Sequence, residues 1–135
     1  MNYWFSSDCH FGHLNIIKYC NRPFKTLEDM NDTIIRKWNE RVKPYDIIFH
    51  IGDFCFKCSS DKGNGIRVTA NEWKSKLNGN IILLKGNHDS NNSVKSIITG
   101  MEIFHGNRSI YLTHKPDDCK DGYAFNLCGH IHEKA

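Results

Sequence analysis

The sequence predicts a layered α/β domain, and three observations carry that expectation. Short apolar runs alternate with stretches of helical periodicity through the first half of the chain, after which strands dominate. Polar clusters sit directly after most of the apolar runs, usually across a glycine that lets the backbone turn sharply. The chain has 135 residues, 39% of them hydrophobic and 24% charged. That is the size and mixture of a single soluble domain spanning 1–135, not of a disordered, collagen-like or coiled-coil chain.

Each element has a local reason. Tyr3 to Ser6 is short and aromatic, a first strand, and a brief helix is expected around Leu14 to Tyr19. Thr26 reads as an N-cap ahead of Leu27, Met30, Ile34 and Trp38 at helical spacing, and this helix should stop before Pro44. Asp46 to Ile51 is a buried-strand run ending at Gly52-Asp53, and residues 57 to 66 are a polar, glycine-bearing loop. Thr69-x-x-Glu72 is a capping box, with Val68 and Trp73 as its hydrophobic staple, and Asn78-Gly79 is expected to end the helix. Asn80 to Leu84 is a strand running into Lys85-Gly-Asn-His-Asp89, and Ser93 to Ile98 a short helix. Met101 to Phe104 and Ser109 to Thr113 flank Gly106-Asn107 as a hairpin, and Tyr123 to Leu127 is the last strand.

Several functional classes fall away on composition. The longest apolar runs, Ile81 to Leu84 and Ile47 to Phe49, are far too short to span a bilayer, so no membrane association is expected. The N-terminus lacks a basic region followed by an apolar stretch, which argues against a secretory signal and for a cytoplasmic location with reduced thiols. Six cysteines, at 9, 20, 55, 58, 119 and 128, are read as ordinary free thiols. Cys55-Phe-Lys-Cys58 has redox or zinc-knuckle spacing but runs into loop sequence, and Cys119 and Cys128 match no regular pattern. A net charge of +3 falls short of the footprint of a dedicated nucleic-acid module. The sequence does not give the oligomeric state.

The polar clusters carry the chemistry. Asp8 and His10 follow the first strand, Asp53 the second, Asn87 and His88 the third, and the later strands deliver His114, then His130 and His132. In α/β sheets, ligands bind in the crevice beyond the carboxyl ends of the strands. Carboxylates, an amide and imidazoles suit divalent cations such as Mn, Fe, Co, Ni or Zn. Asp8, His10, Asp53, Asn87, His114, His130 and His132 are too many ligands for one ion. Two ions sharing one carboxylate, about 3.5 to 4 Å apart, would use them, as in centres that hydrolyse phosphate esters.

Asp8-x-His10, Gly52-Asp53, Gly86-Asn87-His88-Asp89, His114 and Gly129-His130-x-His132 occur in that order, and Trp4-Phe-Ser-Ser-Asp-Cys-His-Phe-Gly-His13 and Asn21-Arg-Pro-Phe24 accompany them. On these residues the chain resembles the calcineurin-like metallophosphoesterase superfamily, particularly its small bacterial and phage members. The resemblance implies two packed mixed β-sheets flanked by helices, an α/β/β/α sandwich. It implies that Asp8, His10 and His132 bind one metal, that Asn87, His114 and His130 bind the second, and that Asp53 bridges them. Manganese is the leading metal. His88 would face the substrate as phosphate-stabilising group or general acid, Asn87 would also contact substrate, and Asp89 would orient His88 from behind. Similar proteins usually continue beyond the final Gly-His-x-His, so the chain is expected to be a minimal or C-terminally shortened version.

The expected activity is hydrolysis of a small phosphodiester or phosphomonoester by attack of a metal-activated hydroxide, that is, a metal-dependent phosphoric ester hydrolase. The alternatives are a nuclease, with nucleic acid a partner not favoured by the modest charge, and a non-catalytic or truncated interaction protein on the same scaffold. A thiol-redox protein built on Cys55 and Cys58 comes last. Arg22 is equally a phosphate contact or a structural arginine, and Lys115 divides the same way. His13, His50 and His105 are read as structural.

Overall fold

The computed structural model describes residues 1–13, 15–55, 68–86, 94 and 96–129. Strand β1 (Tyr3–Ser6) leads through α1 (Asn15–Tyr19) and α2 (Leu27–Arg41) to β2 (Ile47–His50), then through α3 (Ala70–Ser75) to β3 (Asn80–Leu83). A hairpin of β4 (Gly100–His105) and β5 (Arg108–Thr113) follows, then a 3-10 turn (Pro116–Asp118) and β6 (Phe125–Leu127).

Both signposted helix starts form as the sequence predicts. The Thr26 side chain accepts from the Asp29 backbone N–H. At α3 the Thr69 hydroxyl accepts from the Glu72 N–H while Glu72 reaches back to the cap, completing the capping box. α3 ends earlier than Asn78-Gly79 suggests, with Lys76 as its C-cap. Gly79, at φ +97°, instead turns the chain into β3, packed so closely on Ile48 and Val42 that a Cβ would overlap both. The expected helix over Ser93 to Ile98 is not seen at its described residues, Val94 and Ser96 to Ile98. The Ser96 hydroxyl donates to the Leu83 carbonyl, and the Lys85 N–H donates to the Ile98 carbonyl, so this stretch runs beside the end of β3.

The six strands form two three-stranded sheets, ordered β1-β2-β3 and β4-β5-β6. The first is entirely parallel, with Ser6, His50 and Leu83 aligned at one end. Only the second is mixed, β4 lying antiparallel and β6 parallel to β5. Side chains alternate across the first sheet. Trp4, Ile48, Ile81 and Leu83 pack on Trp38, Val42, Trp73 and Leu77 of the helical layer. Ile47, Phe49 and Ile82 face Met101, Ile103, Ile110, Leu112 and Leu127 of the second sheet. Among the described residues, α-helices cover the first sheet alone, so the second helical layer expected of an α/β/β/α sandwich is not among them.

Two further features bear on function. Asp46, just before β2, ties the start of β1 to the end of α2, accepting from the Asn2 N–H, the Lys43 N–H and Trp4 Nε1. Those three donors hold its carboxyl below the usual carboxylate range. Between the sheets, on the β1 side, the sandwich gapes into an apolar slot of about 680 Å³ walled by Tyr3, Phe5, Phe49, Ile103 and Ile110. Phe5 stacks on Phe49 at 5.5 Å but stays 40% exposed.

Candidate metal centre

The parallel register sends the loops after β1, β2 and β3 out of the same end of the first sheet. Backbone hydrogen bonds carry the pairing past the strands: Asp8 N–H to Gly52 O, His10 N–H to Asp53 O and Phe11 N–H to Phe54 O. Within that extension Asp8, His10 and Asp53 all adopt left-handed φ, at 56°, 53° and 56°. Non-glycine residues rarely sit there, and each costs about 1–3 kcal/mol, a pattern that collects at functional sites. Arg22 braces the first loop: its guanidinium donates to the carbonyls of Asp8 and Cys9 and touches the Met30 sulfur.

The second sheet delivers His114, directly after β5. Its Nδ1 donates to the Ile51 carbonyl at 2.9 Å, and its Nε2 lies 3.1 Å from Asp53 Oδ2. His10 Nε2 approaches the same carboxylate oxygen at 3.6 Å, and Asp8 Oδ1 lies 4.0 Å from His114 Nδ1. Asp8, Asp53 and His114 together offer ligand atoms all within 4.8 Å of one another. Burial pulls the His114 imidazolium down, but the hydrogen bond and charge of Asp53, the Ile51 carbonyl and Asp8 outweigh it and raise its pKa. Binding a metal through Nε2 requires that nitrogen to be free of its proton. Carboxylates converging with imidazoles, one ring already oriented by a backbone carbonyl, are a donor set that fits a divalent cation.

Three glycines make this convergence possible. Gly52, at φ +104°, lies where a Cβ would fall 2.5 Å from His114 Nδ1. A Cβ on Gly86 would fall 2.4 Å from Asp53 Oδ1, and one on Gly129 would fall 2.4 Å from Asp8 Oδ2. Gly129 N–H also donates to the His114 carbonyl at 2.9 Å, continuing the β5–β6 pairing to the start of the last motif.

The structure thus brings four of the sequence-predicted residues together: Asp8, His10, Asp53 and His114. Asn87, His88, Asp89, His130 and His132 lie outside the described residues, as does Cys58. Gly86 and Gly129, which immediately precede two of those motifs, are described and abut the carboxylates. Arg22 sits with its terminal nitrogens on backbone carbonyls, and Lys115 is exposed. His13 is buried with its Nδ1 3.5 Å from His10 Nδ1. His50 is fully buried edge-on to Phe54, and burial drives its pKa down to about 3. Of the two readings open for Arg22, the fold shows the bracing one, and only the fold shows which carbonyls the guanidinium reaches.

Of the cysteines described, Cys9 and Cys55 are buried, Cys20 is partly so, and Cys119 and Cys128 are exposed. Burial pushes the Cys9 thiol up to about 12. Partial burial raises the Cys128 thiol.

Comparison with known proteins agrees with this geometry. The model of a family described as calcineurin-like phosphoesterase matches residues 1–133. The chain is 38% identical over 125 residues to the uncharacterized protein MJ1445 of Methanocaldococcus jannaschii, an alignment covering 93% of the chain and 63% of that protein. It is 32% identical over 88 residues to the gene 66 protein of Mycobacterium phage L5, covering 65% of the chain and 40% of the phage protein. A solved structure, the protein of unknown function AQ665 from Aquifex aeolicus, superposes with a TM-score of 0.63 at 29% identity, over 87% of the chain and 63% of AQ665. The chain therefore spans less than two thirds of the length of these relatives.

Proposed function

The chain belongs to the calcineurin-like phosphoesterase family, and from that premise we propose that it is a phosphoric ester hydrolase acting on a small phosphodiester or phosphomonoester with two divalent cations, manganese foremost. The observation that carries this reading is the meeting of Asp8, Asp53 and His114 donor atoms within 4.8 Å, from loops of both sheets. Divalent cations bound there would supply Lewis acidity, neutralising phosphate charge and lowering the pKa of water.

The rest is the work of the chain's own residues. Asp53, which lies 3.6 Å from His10 and 3.1 Å from His114, would be shared between the two ions. Asp8, His10 and His132 would hold one ion, and Asn87, His114 and His130 the other. The Ile51 carbonyl fixes which His114 nitrogen is offered, because Nδ1 is already engaged. Arg22 acts as a positioning residue, holding the left-handed turn at Asp8 through its carbonyl. His88 and Asn87, following Gly86, would meet the phosphate, with His88 protonated to stabilise charge or to protonate the leaving oxygen, and Asp89 orienting it.

Elemental analysis of the purified protein, paired with assays on a model diester and a model monoester across several metals, tests the proposal. We expect two metal equivalents and metal-dependent hydrolysis. A protein that binds no divalent metal and cleaves neither ester would refute it.

A further inference from the structure

We propose that His13 is a positioning residue for the metal centre: its Nδ1 accepts a hydrogen bond from His10 Nδ1–H and so commits His10 to offering Nε2 to a cation. The inference rests on the metal reading given above and adds to it a residue outside the ligand set.

The chain places the two rings with little freedom. The His10 N–H donates to the Asp53 carbonyl and the Phe11 N–H to the Phe54 carbonyl, which fixes the backbone against the loop after β2. The His13 N–H then donates back to the His10 carbonyl at 3.0 Å, closing a tight turn. Gly12, at φ +71°, supplies the left-handed residue at the third place of that turn. Its N–H donates to Oδ1 of the buried Asn31 at 3.1 Å. The turn brings the imidazoles side by side, ring centroids 5.5 Å apart, with Nδ1 facing Nδ1 at 3.5 Å. Both residues are buried, so their ring nitrogens depend on protein partners.

The protons of the two rings are therefore linked. Facing nitrogens share one proton, because two N–H groups would collide and two lone pairs would repel. His10 Nε2 is the nitrogen turned to the cluster, 3.6 Å from Asp53 Oδ2. A neutral imidazole that gives its Nε2 lone pair to a metal carries its proton on Nδ1. His13 must then present a bare Nδ1 and keep its own proton on Nε2. The second nitrogen of a metal-ligating histidine is commonly held by such a partner, which sets both tautomer and ring orientation. His114 is held in this way by the Ile51 carbonyl. His13 does for the loop after β1 what a backbone carbonyl does for the segment after β5.

The test compares two substitutions of similar shape in the full-length chain. H13N keeps an acceptor oxygen close to where Nδ1 stands, and H13L does not. Isothermal titration with manganese should show H13L about 10- to 100-fold weaker than wild type, and H13N regaining most of that loss. A purely structural His13 predicts equal losses in the two. Affinity in H13L equal to wild type, or H13N as weak as H13L, would overturn the proposal. Nitrogen-15 NMR of the zinc-loaded wild type reads the tautomers without any substitution, and so decides even where a variant fails to fold. A proton on His10 Nδ1 and none on His13 Nδ1 is expected; the reverse overturns the proposal. A wild type that takes up no manganese brings down the metal reading and this inference with it, whereas wild-type uptake undiminished in H13L brings down this inference alone.

Discussion

Two regions of this sandwich differ in kind. The slot between the sheets is about 680 Å³, walled by Tyr3, Phe5, Phe49 and Ile103. The strand-end cluster is small, yet it gathers carboxylates and imidazoles on left-handed turns, braced by Arg22 and pressed upon by glycine backbones. The slot offers apolar area and one imidazole, His105, on its lining. Its walls could bury something greasy but have no means of polarising a phosphate. The contrast teaches that chemistry is located by the cost a fold accepts to place polar groups, rather than by empty volume.

Substitutions at the cluster should separate the two regions most sharply. Asp53→Asn should reduce turnover below detection and weaken metal uptake, measured by assay and by elemental analysis; full activity in this variant would remove Asp53 from its shared position. His88→Ala should keep its metal while turnover drops about 10²- to 10⁴-fold. Gly129→Ala and Gly86→Ala, each driving a methyl into a carboxylate, should lower metal affinity about 10- to 100-fold, as loss of supporting contacts does in other centres, with the fold retained by circular dichroism. Affinity equal to wild type would show that the close approach is not needed.

pH gives a subtler separation. His114 has a raised pKa and must lose its proton to bind metal, so metal uptake should weaken as pH falls through that raised value. Isothermal titration across pH reads this directly. His50 behaves oppositely: its folded pKa is depressed to about 3, so the unfolded chain takes up a proton first. Its contribution to stability is present above pH 6.5 and is lost progressively between about 6.5 and 3. Melting temperature against pH should flatten over that window in His50→Phe. The smallest effect belongs to the slot. Phe5→Ala should cost about 1–2 kcal/mol of stability for its half-buried ring and leave metal affinity unchanged; a lost metal would mean the two regions are not separate.

Much of this was legible in the sequence because the signals are local. A capping box, a helical stripe from Leu27 to Trp38 and an aromatic run at Tyr3 are decided within a few residues, and each forms as expected. The failures are long-range. Ser93 to Ile98 carries apolar residues at helix-compatible spacing, but Ser96 and Ile98 find partners on Leu83 and Lys85 across the chain. Asp8, His10, Asp53 and His114 could be nominated from their places after strands. Their meeting depends on the parallel register of β1 and β2 and on a ring from the opposite sheet.

The crowding at Gly86 and Gly129 also sets limits for anyone who would redesign this scaffold. Each glycine is the threshold of a motif that the sequence marks for the site, and behind each threshold stands a carboxylate with no room for one more carbon. Libraries aimed at new specificity can diversify outward along residues 115–122, where the chain leaves the cluster. They cannot start at the thresholds themselves, because the first added methyl would displace a carboxylate of the cluster.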